Sequence, residues 1–175
     1  MPSPDLTLLL IRDRAEPPMW IDTWARSYPL VQTVACAADE SIASWQARIQ
    51  AAWQQIPEQA MIVAHGAGTV AAMAWQFQNS LSGQQRIRGM ILVSPLQSAY
   101  TNDAQHTLQR ARTNCKAALV IGQGENPRCP TAWAAETAVL WQARLLRAPQ
   151  PGHLNQHFGG WQWGMQLMQE MLLSG

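Results

Sequence analysis

The chain has 175 residues, 47% of them apolar and 13% charged, the balance of a folded domain with one core and the opposite of a disordered segment. Twelve basic against eleven acidic residues leave a net charge of +1, and the arginines form no basic run with interleaved aromatics, so neither nucleic acid nor an anionic membrane surface is an expected partner. Three cysteines, Cys36, Cys115 and Cys129, are odd in number and lack Cys-x-x-Cys spacing, which argues against a disulfide framework or a zinc site and fits a reducing cytoplasm.

In chain order, Leu6–Ile11 reads as a buried strand. It is too short for a signal-peptide core, no basic residue precedes it and Asp5 adjoins it, so a cytoplasmic protein is expected; no later run reaches membrane length. Leu30–Val34 is a second strand. Ile42, Trp45, Ile49, Trp53 and Ile56 then recur at helical spacing. Ala60–Ala64 is a third strand, ending in His65-Gly66-Ala67-Gly68. A second helical stripe follows at Val70, Met73, Ala74, Phe77 and Leu81. Gly89–Ser94 and Ala117–Gly122 are further strands, Arg144–Ala148 is a shorter sixth, and Trp163, Leu167, Met168 and Met171 mark a last helix. Between Pro95 and Cys115 the chain is polar and is expected to form a loop with a short helix across the C-terminal edge of the strands, the edge where open α/β sheets bind ligands. This alternation predicts a single α/β domain over residues 1–175, a three-layer sandwich with a mostly parallel six-stranded sheet.

The stretch "MIVAHGAGTVAAMAW", residues 61–75, has the layout of a nucleophile elbow, in which a strand, a sharp turn and a helix present a serine within Gly-x-Ser-x-Gly. Small residues flank the turn, as the sterics demand, but Gly66 stands where the hydroxyl belongs. After the fifth strand comes "GQGENPRCP" and after the sixth "APQPGHLNQHFGGWQWG", placed where the acid and the histidine of an α/β-hydrolase follow the nucleophile. With Trp20 and Trp24 after the first strand, a "VSP" strand end and Gly152-His153-Leu154-Asn155 followed by Gly159 and Trp163, the chain resembles the small serine hydrolases related to retinoblastoma-binding protein 9.

That resemblance implies an α/β-hydrolase fold, esterase-like chemistry and no cofactor. It puts the serine position on Gly66, the acid on Asn126 and the histidine on His153. Around them it assigns the cleft and oxyanion surroundings to Ala67, Arg12, Asp13, His65 and Ser94. The loop after the first strand, Arg12-Asp13-Arg14-Ala15-Glu16-Pro17-Pro18, departs from the Pro-Gly-Trp usual in such hydrolases. Glycine cannot attack a carbonyl, and asparagine brings no charge to an imidazolium and can hold the wrong tautomer. The expectation is a catalytically impaired pseudo-hydrolase whose cleft binds a small molecule or a protein segment.

Alternatives remain open on the residues alone. Ser94 or Cys129 could serve as a displaced nucleophile, and Glu125 could replace the lost acid. The chain could be an engineered serine knock-out, or an interaction module. His153 and His157 lie four apart, but no nearby Asp, Glu or Cys completes a metal site. The nine tryptophans read as core, with Trp20, Trp24 and Trp161 as the ones that could instead wall a pocket or an interface.

Overall fold

The computed structural model describes residues 5–79, 86–100, 102–113 and 115–174, with the side chains of residues 102 and 103 left aside. Six strands form one parallel sheet: β1 (Leu6–Asp13), β2 (Val31–Cys36), β3 (Gln59–His65), β4 (Ile87–Val93), β5 (Ala117–Gln123) and β6 (Arg144–Pro151), in the spatial order β2-β1-β3-β4-β5-β6. The central strands are apolar on both faces, which is what burial between two helical layers requires. Helices α1 (Trp20–Ser27) and α6 (Gln162–Leu173) cover one face. On the other lie α2 (Ile42–Trp53), α3 (Ala67–Gln78), α4 (Asn102–Leu108) and α5 (Thr131–Trp141).

Strand order sets the location of the site. The chain leaves β1 for β2 on one side and returns to β3 on the other, so the crevice between the C-terminal ends of β1 and β3 is the topological switch point of the sheet. Two strands run further toward it than their apolar runs indicate. β1 continues through Arg12 and Asp13, and β3 through His65, because parallel pairing carries them on: Arg12 and Asp13 lie opposite Ala35 and Cys36, and His65 lies opposite Val93.

Helix α3 departs from a one-sided stripe. Every residue from Ala67 to Gln76 is buried, because sheet, α2 and α4 all pack on it. Its approach to β1 is close enough that a Cβ on Gly68 would run into the carbonyl oxygen of Ile11. Leu81, the last position of that predicted stripe, lies outside the described residues. The segment after β4 forms a short 3-10 turn at Gln97–Ala99 and then α4.

Tryptophans 20, 24 and 161 do not wall a pocket. All three are buried and pack as one cluster, with ring centroids 4.9 Å apart for Trp20 and Trp24 and 4.5 Å for Trp20 and Trp161. Their indole N–H groups donate to Leu154 O at 2.7 Å, Gly160 O at 2.7 Å and Gln150 Oε1 at 2.9 Å. The cluster therefore ties α1 to the loop that carries His153. Trp20→Phe keeps one aromatic ring but removes the N–H donor and the five-membered part of the indole, leaving a buried carbonyl unpaired beside a void; it should lower stability by about 2–4 kcal/mol in urea unfolding.

Candidate active site

At the end of β3 the backbone turns through Gly66, with φ 59° and ψ −127°, and α3 starts at the next residue. A side chain in this region is strained and glycine is not, so the turn stores no strain in this chain. The turn is held on both sides: Gly66 N–H donates to Val93 O at 3.0 Å, and Gly66 O accepts from Thr69 N at 3.1 Å and Thr69 Oγ1 at 2.8 Å.

The space beside Gly66 is taken. A Cβ built on Gly66 would stand 2.6 Å from Asp13 Oδ2 and 3.0 Å from Asp13 Cβ. The Asp13 carboxylate accepts from Ala67 N at 3.0 Å through Oδ2 and from Ala15 N at 2.9 Å through Oδ1, and its residue is 2% exposed. In hydrolases of this layout, the N–H of the residue after the nucleophile and one from the first loop hold the oxyanion. Here the Asp13 carboxylate takes the N–H of the residue after Gly66 and one from the loop after β1.

His153 lies in the turn after β6, beside the residue that precedes Gly66. Its carbonyl accepts from His65 Nε2 at 2.9 Å, and the two imidazoles are 4.9 Å apart. Asn126 sits at 2.7 Å from its Nδ1. The amide orientation follows from the second contact: Asn126 Oδ1 accepts from Arg128 N at 3.1 Å, so Nδ2 is the atom that faces the imidazole. An amide N–H can only donate, so Nδ1 of His153 accepts and the ring proton sits on Nε2. A triad histidine needs the reverse, Nδ1–H toward the acid and a lone pair on Nε2 toward the nucleophile. Burial, with His65 and Arg128 nearby, pushes His153 down to about 3, so the ring is neutral near pH 7.

The Nε2–H faces a carboxylate. Glu16 Oε1 is 3.8 Å away, and Glu16 in turn accepts from Arg128 Nη1 at 2.7 Å and Asn155 Nδ2 at 2.8 Å. Burial pulls the Glu16 carboxyl upward, but the Asn155 hydrogen bond and the Arg128 charge outweigh it and hold the group below its ordinary value. Asp13, Glu16, His65, Gly66 and His153 are all buried. Glu16 and Arg128 carry no periodic or motif signal. Asn155 belongs to the Gly-His-x-Asn run, whose chemical purpose shows only when its partner across the fold is known.

The other sequence candidates separate. Arg12 points to the opposite face of β1 from Asp13, where its guanidinium donates to Glu16 O at 2.8 Å and pairs with Asp22 at 3.3 Å; it braces the loop and does not reach the Gly66 turn. Glu125 is not an acid for His153, because its carboxylate accepts from Thr131 N at 2.6 Å and caps α5. Cys129 is buried, and burial raises its thiol to about 12, which leaves no thiolate to attack. Ser94 follows β4 with φ 48°, and its buried Oγ has no hydrogen-bond partner among the described residues. His65 Nδ1 and His153 Nε2 share that condition.

A family model described as serine hydrolase matches residues 13–170. The chain belongs to the serine hydrolase family. Solved structures agree in fold. A ydeN-like hydrolase from Pectobacterium atrosepticum shares 22% identity at a TM-score of 0.79, over 95% of this chain and 90% of that one. The ydeN gene product of B. subtilis shares 15% at 0.67, over 95% and 97%, and a hydrolase from Agrobacterium vitis 13% at 0.71, over 98% and 90%. No curated protein matches the sequence. Among the described residues, no helix of this family member is long and apolar enough to cross a membrane.

Proposed function

We propose that this serine hydrolase family member is a pseudo-hydrolase, impaired at the nucleophile, the acid and the oxyanion site together, and that it acts by binding a small molecule or a protein segment. One observation carries the reading: Gly66 holds an elbow conformation with no side chain, and the Asp13 carboxylate fills the space where one would project. Acyl transfer needs an oxygen there and a lone pair on the histidine, and this chain offers a carboxylate and an N–H. Within the family the reading keeps the kinship with the small hydrolases related to retinoblastoma-binding protein 9, on the strength of the Gly-His-x-Asn run. An engineered loss of one serine would leave the other parts intact, whereas Asn126 and Asp13 also depart from the hydrolase pattern. Three free cysteines, two of them buried, support a reducing cytoplasm.

The test is direct. A fluorophosphonate probe should label no serine of the native protein, and short p-nitrophenyl esters should hydrolyse at the background rate. Stoichiometric labelling mapped by mass spectrometry to Ser94, whose hydroxyl is unpartnered at the end of β4, would replace this reading with an active hydrolase using a displaced nucleophile.

A further inference from the structure

The polar stretch after β4 and helix α5 enclose a groove that the hydrolase reading does not use. Trp133, Glu136 and Leu140 recur on α5 at three- and four-residue spacing and so share one face of it. That face is only partly covered: Trp133 and Leu140 are half-buried and Glu136 is exposed. The facing lining comes from Gln105 of α4 and Gln109 one turn on, and the 3-10 turn adds Gln97 and Tyr100. Together they surround about 360 Å³. Neither Asp13, Glu16, His65, Asn126 nor His153 lines this space, so it is separate from the site at Gly66.

The chemistry of the groove is one-sided. The rings of Tyr100 and Trp133 stand at 79° with centroids 5.9 Å apart, two π surfaces at nearly a right angle. Beside them the Glu136 carboxylate has no hydrogen bond or ion pair among the described residues. No lysine or arginine among those residues lines the groove. Arg112, whose charge bears on the Tyr100 hydroxyl, turns its guanidinium to the carbonyl oxygens of Gln109 at 2.7 Å and Ala111 at 2.8 Å. The glutamines add carbonyl oxygens and no net charge. An anion would meet Glu136 with no cation to offset it, whereas a cation meets a carboxylate and the negative faces of two rings. We propose that this groove binds a small quaternary ammonium compound of about the size of choline. A methylated ammonium has no N–H group to satisfy, so aromatic walls can strip its water at little cost, and the volume admits such a molecule whole. The proposal does not rest on the pseudo-hydrolase reading.

Nitrogen–proton correlation NMR of the full chain reads the groove through the indole N–H of Trp133, assigned by its loss in Trp133→Phe. Choline chloride should shift that resonance saturably, and sodium chloride at equal concentration should not. The neutral isostere of choline, with a quaternary carbon in place of the nitrogen, should bind about tenfold more weakly. Glu136→Gln keeps the shape and removes the charge of an exposed residue, so the variant should fold as the wild type does and bind choline about 3–10-fold more weakly. A trimethylated lysine, acetylated and amidated at its ends, presents the same ammonium on a protein side chain and should bind more weakly than choline. No shift with choline, equal binding of the neutral isostere, or an unchanged affinity in Glu136→Gln would each overturn the site. Tighter binding of the lysine derivative would overturn the assignment to a free small molecule. None of these readouts involves the Gly66 turn, so this site and the pseudo-hydrolase reading can fail separately.

Discussion

Gly66→Ser should gain no esterase activity and should lose about 2–6 kcal/mol of stability. Two costs add. A serine must adopt the positive-φ geometry that Gly66 accepts without strain, worth about 1–3 kcal/mol, and its Cβ must displace a carboxylate pinned by two backbone N–H groups, an overpacking worth about 1–3 kcal/mol more. Adding Asn126→Asp turns the histidine tautomer back but leaves the oxyanion donors occupied, so that pair should still be inert. Turnover of p-nitrophenyl acetate should first emerge when Asp13→Gly joins them, because only then are nucleophile, tautomer and oxyanion site open together. Urea unfolding of the four proteins and an ester assay decide it. A stable, active single Gly66→Ser variant would show that Asp13 does not stand in the way and that the acid position is not limiting.

Acid should unfold the protein earlier than a chain of this composition would otherwise require. Burial pushes both His65 and His153 down, His153 to about 3 from an ordinary 6.5, so the native state holds both neutral. Below pH 6.5 the unfolded chain takes up protons that the native state refuses. Stability is therefore full above 6.5 and declines as pH falls toward the lowered native values, by about 1.4 kcal/mol per pH unit for each proton. His153 gives about 1.4 kcal/mol per unit over this range and His65 adds in the same direction, a large fraction of the stability of a single domain. Glu16 adds to the loss lower down: its folded value lies below 4.5, so its contribution is present above 4.5 and disappears as pH drops through the lowered value. His153→Gln removes one proton from the balance and should reduce the slope of stability against pH by about 1.4 kcal/mol per unit between pH 6 and 4. Urea midpoints at pH 7, 6, 5 and 4 check this, and an unchanged slope in the variant would mean that His153 is not held neutral by its surroundings.

The fold was legible because its signals are local. Each central strand lies between two helical layers and must be apolar over most of its length, so Leu6–Ile11, Ala60–Ala64 and Gly89–Ser94 stand out without any knowledge of their partners. The turn at Gly66 and Gly68 was legible too, since a helix that starts immediately after a strand and crosses β1 at contact distance tolerates only small residues. Strand ends were less visible. Arg12, Asp13 and His65 are polar and look like loop, and it is pairing with β2 and β4 that extends β1 and β3 through them.

The sequence by itself determined that position 66 carries no side chain and that a small-residue turn, an asparagine and a histidine follow one another at Gly66, Asn126 and His153, because these are statements about which atoms exist and in what succession. Only the tertiary structure decided what fills the space. That Asp13 takes the N–H groups of Ala15 and Ala67, that Arg128 orients Asn126 and thereby fixes the proton on His153 Nε2, and that Glu16 lies 3.8 Å from that nitrogen are contacts between residues up to 139 positions apart. Hydrogen-bond direction and steric exclusion act across a few ångströms of space, and no spacing along the chain encodes them.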